Sequence, residues 1–395
     1  MTSAPAARDH RMPDERLWRS LTVSATKTEL YAEDLYFREC WSDALDILGA
    51  ADATQTGTDG GSRAAADGGS GAAADEGSGV GTDGGSGVGT DGGSGVGTDG
   101  GSRVGPDGGS RVGTGEGSRT AGDAAAAALA PLGLLSFKCD GMAGRRAEPT
   151  LRYLADQGFS ILASAPIRHN RHSMRELWRY NWHVYTTDRL ALMTLMHSVG
   201  DSLLLIVRDD RYDPAVPGSV RLADLKGSAD PEARGPEHLR TVLDPPNKII
   251  NFVHVADEPA DICREVGIFL DRPERRALLT EIRKADAETA TRRAHDEVAR
   301  LQALLPASDF DLEAALKRVE PATTPDALAR LRFAAAGGTR LSWDELGTLL
   351  DRSDPAVDFW DFVRIATEVL DADRPASADL LPPSSAAEWR AAAAR

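Results

Sequence analysis

The sequence predicts an α+β protein, with an antiparallel-sheet core and an all-helical C-terminal extension. Three observations predict it. Between 131 and 272, short apolar runs alternate with segments of helical periodicity. Beyond Glu274 no strand pattern recurs. A tract at 51–127 holds 26 of the 39 glycines and isolates the first fifty residues from the rest. The division that follows is an N-terminal segment (1–50), a linker (51–127), a core domain (128–272) and a helical extension (273–395).

In the N-terminal segment, Leu30, Leu35, Tyr36, Trp41, Leu45 and Leu48 recur at helical spacing, giving one amphipathic helix over 29–48 docked on the core domain. The tract that follows repeats with period eight: GTDGGSGV at 81–88 and 89–96, GTDGGSRV at 97–104, GPDGGSRV at 105–112. A calcium-binding β-roll has period nine and a large apolar residue in each repeat. Here one Val is the only apolar residue in each unit, too little to repay the entropy of ordering, so the tract reads as a disordered linker.

The core domain begins with a strand over 132–137, which ends in a tight turn at Lys138-Cys139-Asp140-Gly141. A helix over 148–157 stops at Gly158, and a strand follows over 159–165. Helices over 173–182 and 188–198 carry Ser and Asp caps. Strands over 202–207 and 249–253 flank a loop-rich stretch with one short helix, and a helix over 259–270 closes the unit. This order is the split β-α-β pattern of ferredoxin-like domains. The extension reads as a long charged helix or helix pair over 274–304, followed by helices over 308–319, 326–335, 341–350 and 359–370, with a capping-box spacing at Ser342 and Glu345.

Composition closes several function classes. The formal net charge is −16, and the tract's eleven acids against four arginines supply only part of it. Diffuse acidity argues against a protein that coats nucleic acid. Cys40, Cys139 and Cys263 form no CxxC pair and no disulfide framework. The N-terminus is polar and the longest apolar run has 12 residues, so a soluble cytoplasmic protein without a membrane span is expected. The P-loop and the HExxH zinc helix are absent; His169 and His172 read as a solvated basic turn, and no metal-ligating set is expected. Asp351, Asp354 and Asp358 lack the ligand alternation of a calcium loop.

What carries chemistry is Asn251-Phe252-Val253-His254-Val255-Ala256-Asp257, with Glu265 eleven residues after the histidine. A histidine just beyond a buried strand, facing a helix that bears a glutamate, suits nucleophilic catalysis. A carboxylate on one ring nitrogen fixes the tautomer and leaves the other nitrogen to attack.

These residues, together with the Lys138-Cys139-Asp140-Gly141 turn and its spacing to Gly158-Phe159, resemble the nucleoside diphosphate kinase family over about 140 residues. The family's Lys-Pro-Asp-Gly turn and its Asn-x-x-His-x-x-Asp signature both find counterparts here. The resemblance implies phosphotransfer from a nucleoside triphosphate to a nucleoside diphosphate by ping-pong kinetics, through phosphohistidine at His254, with magnesium accompanying the nucleotide. It implies phosphate ligands at Lys138, Arg221, Ser228, Arg240 and Asn251. Trp178 and Tyr185 would hold the base, Glu265 would orient His254, and copies would assemble through the core domain. Val255 and Ala256 stand where the family has Gly-Ser, and Cys139 replaces a proline. The alternative is a module of the same fold that has lost turnover and retains nucleotide or protein binding. Acid-labile label from γ-labelled ATP separates the two.

Overall fold

The computed structural model describes residues 19–50, 116–374 and 380–395; most of the repeat tract, and with it the prediction of disorder there, lies outside the described residues. A 3-10 turn, Arg19–Leu21, leads into helices α1 (Ala25–Glu33) and α2 (Leu35–Ile47). The single helix expected over 29–48 is therefore two. Asp34 ends the first and caps the second by accepting from Phe37 N, while its other oxygen takes the Arg264 guanidinium at 2.7 Å. The break turns Leu35 outward (62% exposed) and leaves Phe37, Cys40, Trp41 and Ala44 as the buried stripe.

Helix α3 (Glu116–Leu129) takes in residues that composition assigns to the linker. The core then runs β1 (Leu132–Phe137), α4 (Cys139–Ala143), α5 (Ala147–Asp156), β2 (Phe159–Ile167), α6 (Arg171–Leu177), a 3-10 segment Arg179–Val184, α7 (Thr187–Ser198), β3 (Ser202–Asp209), α8 (Gly218–Lys226), α9 (Leu239–Leu243), β4 (Val253–Val255) and α10 (Pro259–Phe269). The helix expected over 173–182 is thus α6 plus the 3-10 segment, entered through a capping box at Asn170. Among the described residues seven further α-helices follow: α11 (Arg272–Lys284), α12 (Ala287–Leu304), α13 (Leu312–Val319), α14 (Pro325–Ala335), α15 (Trp343–Leu349), α16 (Phe359–Val369) and α17 (Ala386–Ala393). The Ser342–Glu345 capping box opens α15. None of the described helices is long and apolar enough to cross a membrane.

The four strands form one antiparallel sheet in the order β2-β3-β1-β4. Strands β1 and β2 are parallel to each other and separated by β3, which is the split β-α-β arrangement. Strand β3 is apolar without alternation because both faces of the sheet are covered. Leu203, Leu205 and Val207 join Leu135 and Phe137 in a core that reaches Trp360 and Val363 of α16. Leu204 and Ile206 join Leu134 on the other face, packed with Trp41 of α2, Val266 of α10 and Leu278 of α11. Both flanking regions therefore belong to the body that holds the sheet. Truncating Trp41, fully buried, would cost about 3–5 kcal/mol, a large part of a typical domain's net stability.

The strand expected over 249–253 lies four residues further on. The Asn247 side chain accepts from Ile249 N and Ile250 N, both at 2.9 Å, and holds them in a buried loop. Phe252 then adopts φ +69°, so extended backbone begins only at Val253. His254 consequently lies inside the strand, opposite Ser136. The β-branched Val255 continues the ladder beside Leu135.

Candidate active site

The site is assembled where β1 ends beside β4. Ser136 pairs with His254, so Lys138 stands at the same end of the sheet. The Lys138–Gly141 stretch is the start of α4, not an isolated tight turn, and it clamps the segment before His254. Lys138 N donates to Phe252 O at 3.0 Å, and Phe252 N donates to Asp140 Oδ2 at 2.9 Å. The left-handed Phe252 costs on the order of 1–3 kcal/mol, and this clamp sustains it. Gly141 is required because a Cβ there would meet Phe252 O at 2.5 Å.

His254 Nε2 lies 2.9 Å from Glu265 Oε1 on α10. A carboxylate only accepts, so Nε2 carries the proton and Nδ1 presents a lone pair. The Trp178 ring meets the imidazole edge-on at 6.0 Å. Together with Lys138, Tyr185, Arg240 and Asn251, these two residues line a cavity of about 150 Å³. Lys138 Nζ lies 3.4 Å from Asp140 Oδ2 and 3.4 Å from Ile249 O. Burial pushes its pKa below the usual lysine value, with Asp140 opposing. Arg240 donates to the carbonyls of Gly227 (3.0 Å) and Val253 (3.2 Å). Burial lowers its pKa to about 10. Because carbonyl dipoles rather than a carboxylate hold Arg240, its charge remains available to an anion in the cavity.

Two expected phosphate ligands are not brought here. Arg221 donates to Asp209 at 2.7 Å and to Gln157 O at 2.6 Å, and its guanidinium lies over the Phe159 ring. Asp209 pairs with Phe159 where β2 begins, at the sheet end away from His254. Buried Asp209 fixes Arg221 there. Ser228 is exposed and accepts from Asp230 N; its neighbour Ala229 lines the cavity instead.

Three charged or titratable residues on the cavity wall escaped the sequence reading: His197, Arg189 and Lys248. The His197 ring stacks under Trp178 at 6.0 Å, and His169 lies 5.7 Å beyond it. His169 is buried, contrary to the solvated turn expected, because β2 extends to Ile167 and carries it inward. Burial pushes its pKa down to about 3, and His197 also falls well below the usual histidine value through burial. The only sequence signal was the Asn170 helix cap just after His169. Arg189 lies 4.1 Å over the Tyr185 ring and contacts the carboxylate of Asp373. Asp373 reaches it because the segment after α16 bridges to Tyr185 and Arg374 N donates to Val184 O at 3.1 Å. Cys139 is buried beneath the carbonyls of His197 and Gly200, and burial raises its thiol pKa to about 11, so it offers no nucleophile.

Behind His254, the N-terminal helices fasten α10. Lys27 Nζ lies 2.8 Å from both Glu258 and Asp261, and Tyr31 Oη donates to Asp261 at 2.5 Å. Trp389 of α17 donates to Glu258 at 3.1 Å. The helix that carries Glu265 is thereby held from both ends of the chain.

No family model matches the chain, and no curated protein matches it. Solved structures similar to it include nucleoside diphosphate kinases from Aquifex aeolicus (19% identity, TM-score 0.31, 36% of this chain and 96% of that one) and from Halobacterium salinarum in complex with CDP (15%, 0.30, 36% and 89%). A nucleoside diphosphate kinase family protein from Babesia bovis is similar at 14% identity and TM-score 0.30, over 36% of this chain and 90% of that one. Likeness at this level carries no argument for an activity.

Proposed function

We propose that the chain is a phosphotransferase that carries the γ-phosphoryl group of a nucleoside triphosphate on His254 and delivers it to a nucleoside diphosphate. The observation that carries this reading is the His254–Glu265 pair at 2.9 Å, opening onto the cavity that holds Lys138 and Arg240. In the first half-reaction the Nδ1 lone pair attacks the γ-phosphorus, the bond to the β–γ bridging oxygen breaks, and the diphosphate leaves with that electron pair. In the second, a terminal oxygen of another diphosphate attacks the same phosphorus and the N–P bond breaks, restoring neutral imidazole. Such a transition state spreads negative charge over the equatorial oxygens. Lys138 and Arg240 lie beside that charge, and each is worth on the order of 3 kcal/mol, roughly a hundredfold in rate. Magnesium enters as part of the nucleotide substrate, bound to its phosphate oxygens.

Two observations favour the second reading, a nucleotide-binding module without turnover. Arg221 is fixed at the far end of the sheet, and Arg189 is occupied by Asp373. Incubation with γ-labelled ATP and magnesium decides between them: acid-labile label that depends on His254 supports transfer, and nucleotide binding without label supports the module.

A further inference from the structure

Helix α8 carries two cations toward opposite ends of the sheet. Arg221, in its first turn, is fixed to Asp209. Lys226, its last residue and about 7.5 Å further along the axis, reaches Asp257, two residues beyond the end of β4. The next residue, Gly227, offers the carbonyl that accepts from Arg240 at 3.0 Å. Arg240 also donates to Val253 O. The two cations therefore hold the chain just before and just after His254.

Lys226 lines a cavity of about 210 Å³ that adjoins the 150 Å³ cavity, since His254, Trp178 and Tyr185 line both. Together the two spaces reach the 300 Å³ or more usual for a bound small molecule. A nucleotide therefore has room on both sides of the imidazole, against two aromatic rings common to both spaces.

The ammonium of Lys226 is poorly satisfied there. Its side chain is 14% exposed, and its only partner among the described residues is Asp257 Oδ1 at 3.5 Å, beyond the usual length of an N–H···O bond. An ammonium has three donors. Lys27, on the wall of the same cavity, shows the contrast, with Glu258 and Asp261 both at 2.8 Å. Burial lowers the Lys226 pKa, Asp257 opposes the shift, and the nearby charge of Arg240 adds to it. A buried ammonium with donors to spare, close to a second buried cation, is a costly arrangement that a bound anion offsets. Asp257 does not compete strongly, because its side chain is 38% exposed and the pair is long.

We propose that Lys226 binds the γ-phosphoryl group during transfer and supplies the positive charge that Arg221 does not. This inference rests on the phosphotransferase reading and completes its electrostatics, with Lys138 and Arg240 in one cavity and Lys226 in the other.

The test uses the full chain with magnesium and γ-labelled ATP, read as the single-turnover rate of acid-labile labelling. ADP, which lacks the γ-phosphoryl group, is the control ligand. Lys226→Met should slow labelling about a hundredfold, with the Kd for ADP within about threefold of wild type. Lys226→Arg keeps the charge and should recover at least about tenfold of that loss. Asp257 stays in contact with solvent in both variants, so thermal midpoints near wild type are expected; Lys226→Gln takes the place of Lys226→Met if the latter does not fold. Labelling as fast in Lys226→Met as in wild type overturns the inference and leaves the phosphotransferase reading intact. A parallel loss of ADP binding, which would make Lys226 a structural residue, has the same consequence, as does an arginine variant as slow as the methionine one. Wild type that takes up no label overturns the reading and the inference with it.

Discussion

Glu265 Oε1 lies 2.9 Å from His254 Nε2, joining the middle of α10 to the short strand β4. This pair sets which ring nitrogen is free, and α10 owes its position to ion pairs with the N-terminal helices. Glu265→Gln keeps the shape and removes the charge that steadies a protonated or phosphorylated imidazole. Its expected effect is a loss of phosphotransfer on the order of a hundredfold or more, read as the single-turnover labelling rate, with nucleotide binding within a few-fold of wild type. A labelling rate equal to wild type would show that the pair is only structural.

Lys138 and Arg221 separate the site from its surroundings. Lys138→Ala should lower kcat roughly a hundredfold. Arg221→Ala leaves buried Asp209 without its cation, and it should cost about 3 kcal/mol of stability with little change in turnover per folded molecule. Chemical denaturation beside steady-state kinetics checks both. A large kinetic defect in Arg221→Ala with unchanged stability would place that arginine at the phosphates after all.

Asp373 contacts Arg189 at the cavity mouth. Asp373→Ala frees the guanidinium and removes a negative charge from the entrance, so the Kd for a nucleoside diphosphate should fall about three- to tenfold. Titration calorimetry reads it, and an equal or weaker affinity would mean that Arg189 does not meet the ligand.

His169 gives the fold an acid sensitivity. Its pKa is about 3 in the folded protein against about 6.5 when unfolded. The unfolded chain therefore binds more protons between these values, and stability falls as pH drops from about 6.5 toward 3. A His169→Phe variant should lose less of its thermal midpoint than wild type between pH 7 and pH 5. Parallel pH profiles for the two proteins would refute the assignment.

What the sequence disclosed follows a physical division. Strand β1, helix α7 and helix α10 were legible because their apolar periodicity is local and uninterrupted. His254 and Glu265 were legible as a pair because one strand and one helix fix their separation. The start of β4 was not, since its delay depends on Asn247 and on a left-handed Phe252 held by Asp140, more than a hundred residues away. Arg221 was misplaced because spacing in a charged stretch does not say toward which end of a sheet a helix points. His169 and His197 escaped because burial is a tertiary property. The two halves of the N-terminal helix were merged because Asp34 resembles any exposed acid until its partner Arg264 is known.

The central claim is a phosphoryl group carried on His254. The most direct measurement incubates the full chain and His254→Ala with γ-labelled ATP and magnesium, follows acid-labile label on the protein, and then adds excess GDP. The account predicts label on the wild type only, discharged by GDP with formation of labelled GTP. Label that persists in His254→Ala, or wild type that binds ATP and takes up no label, would contradict it.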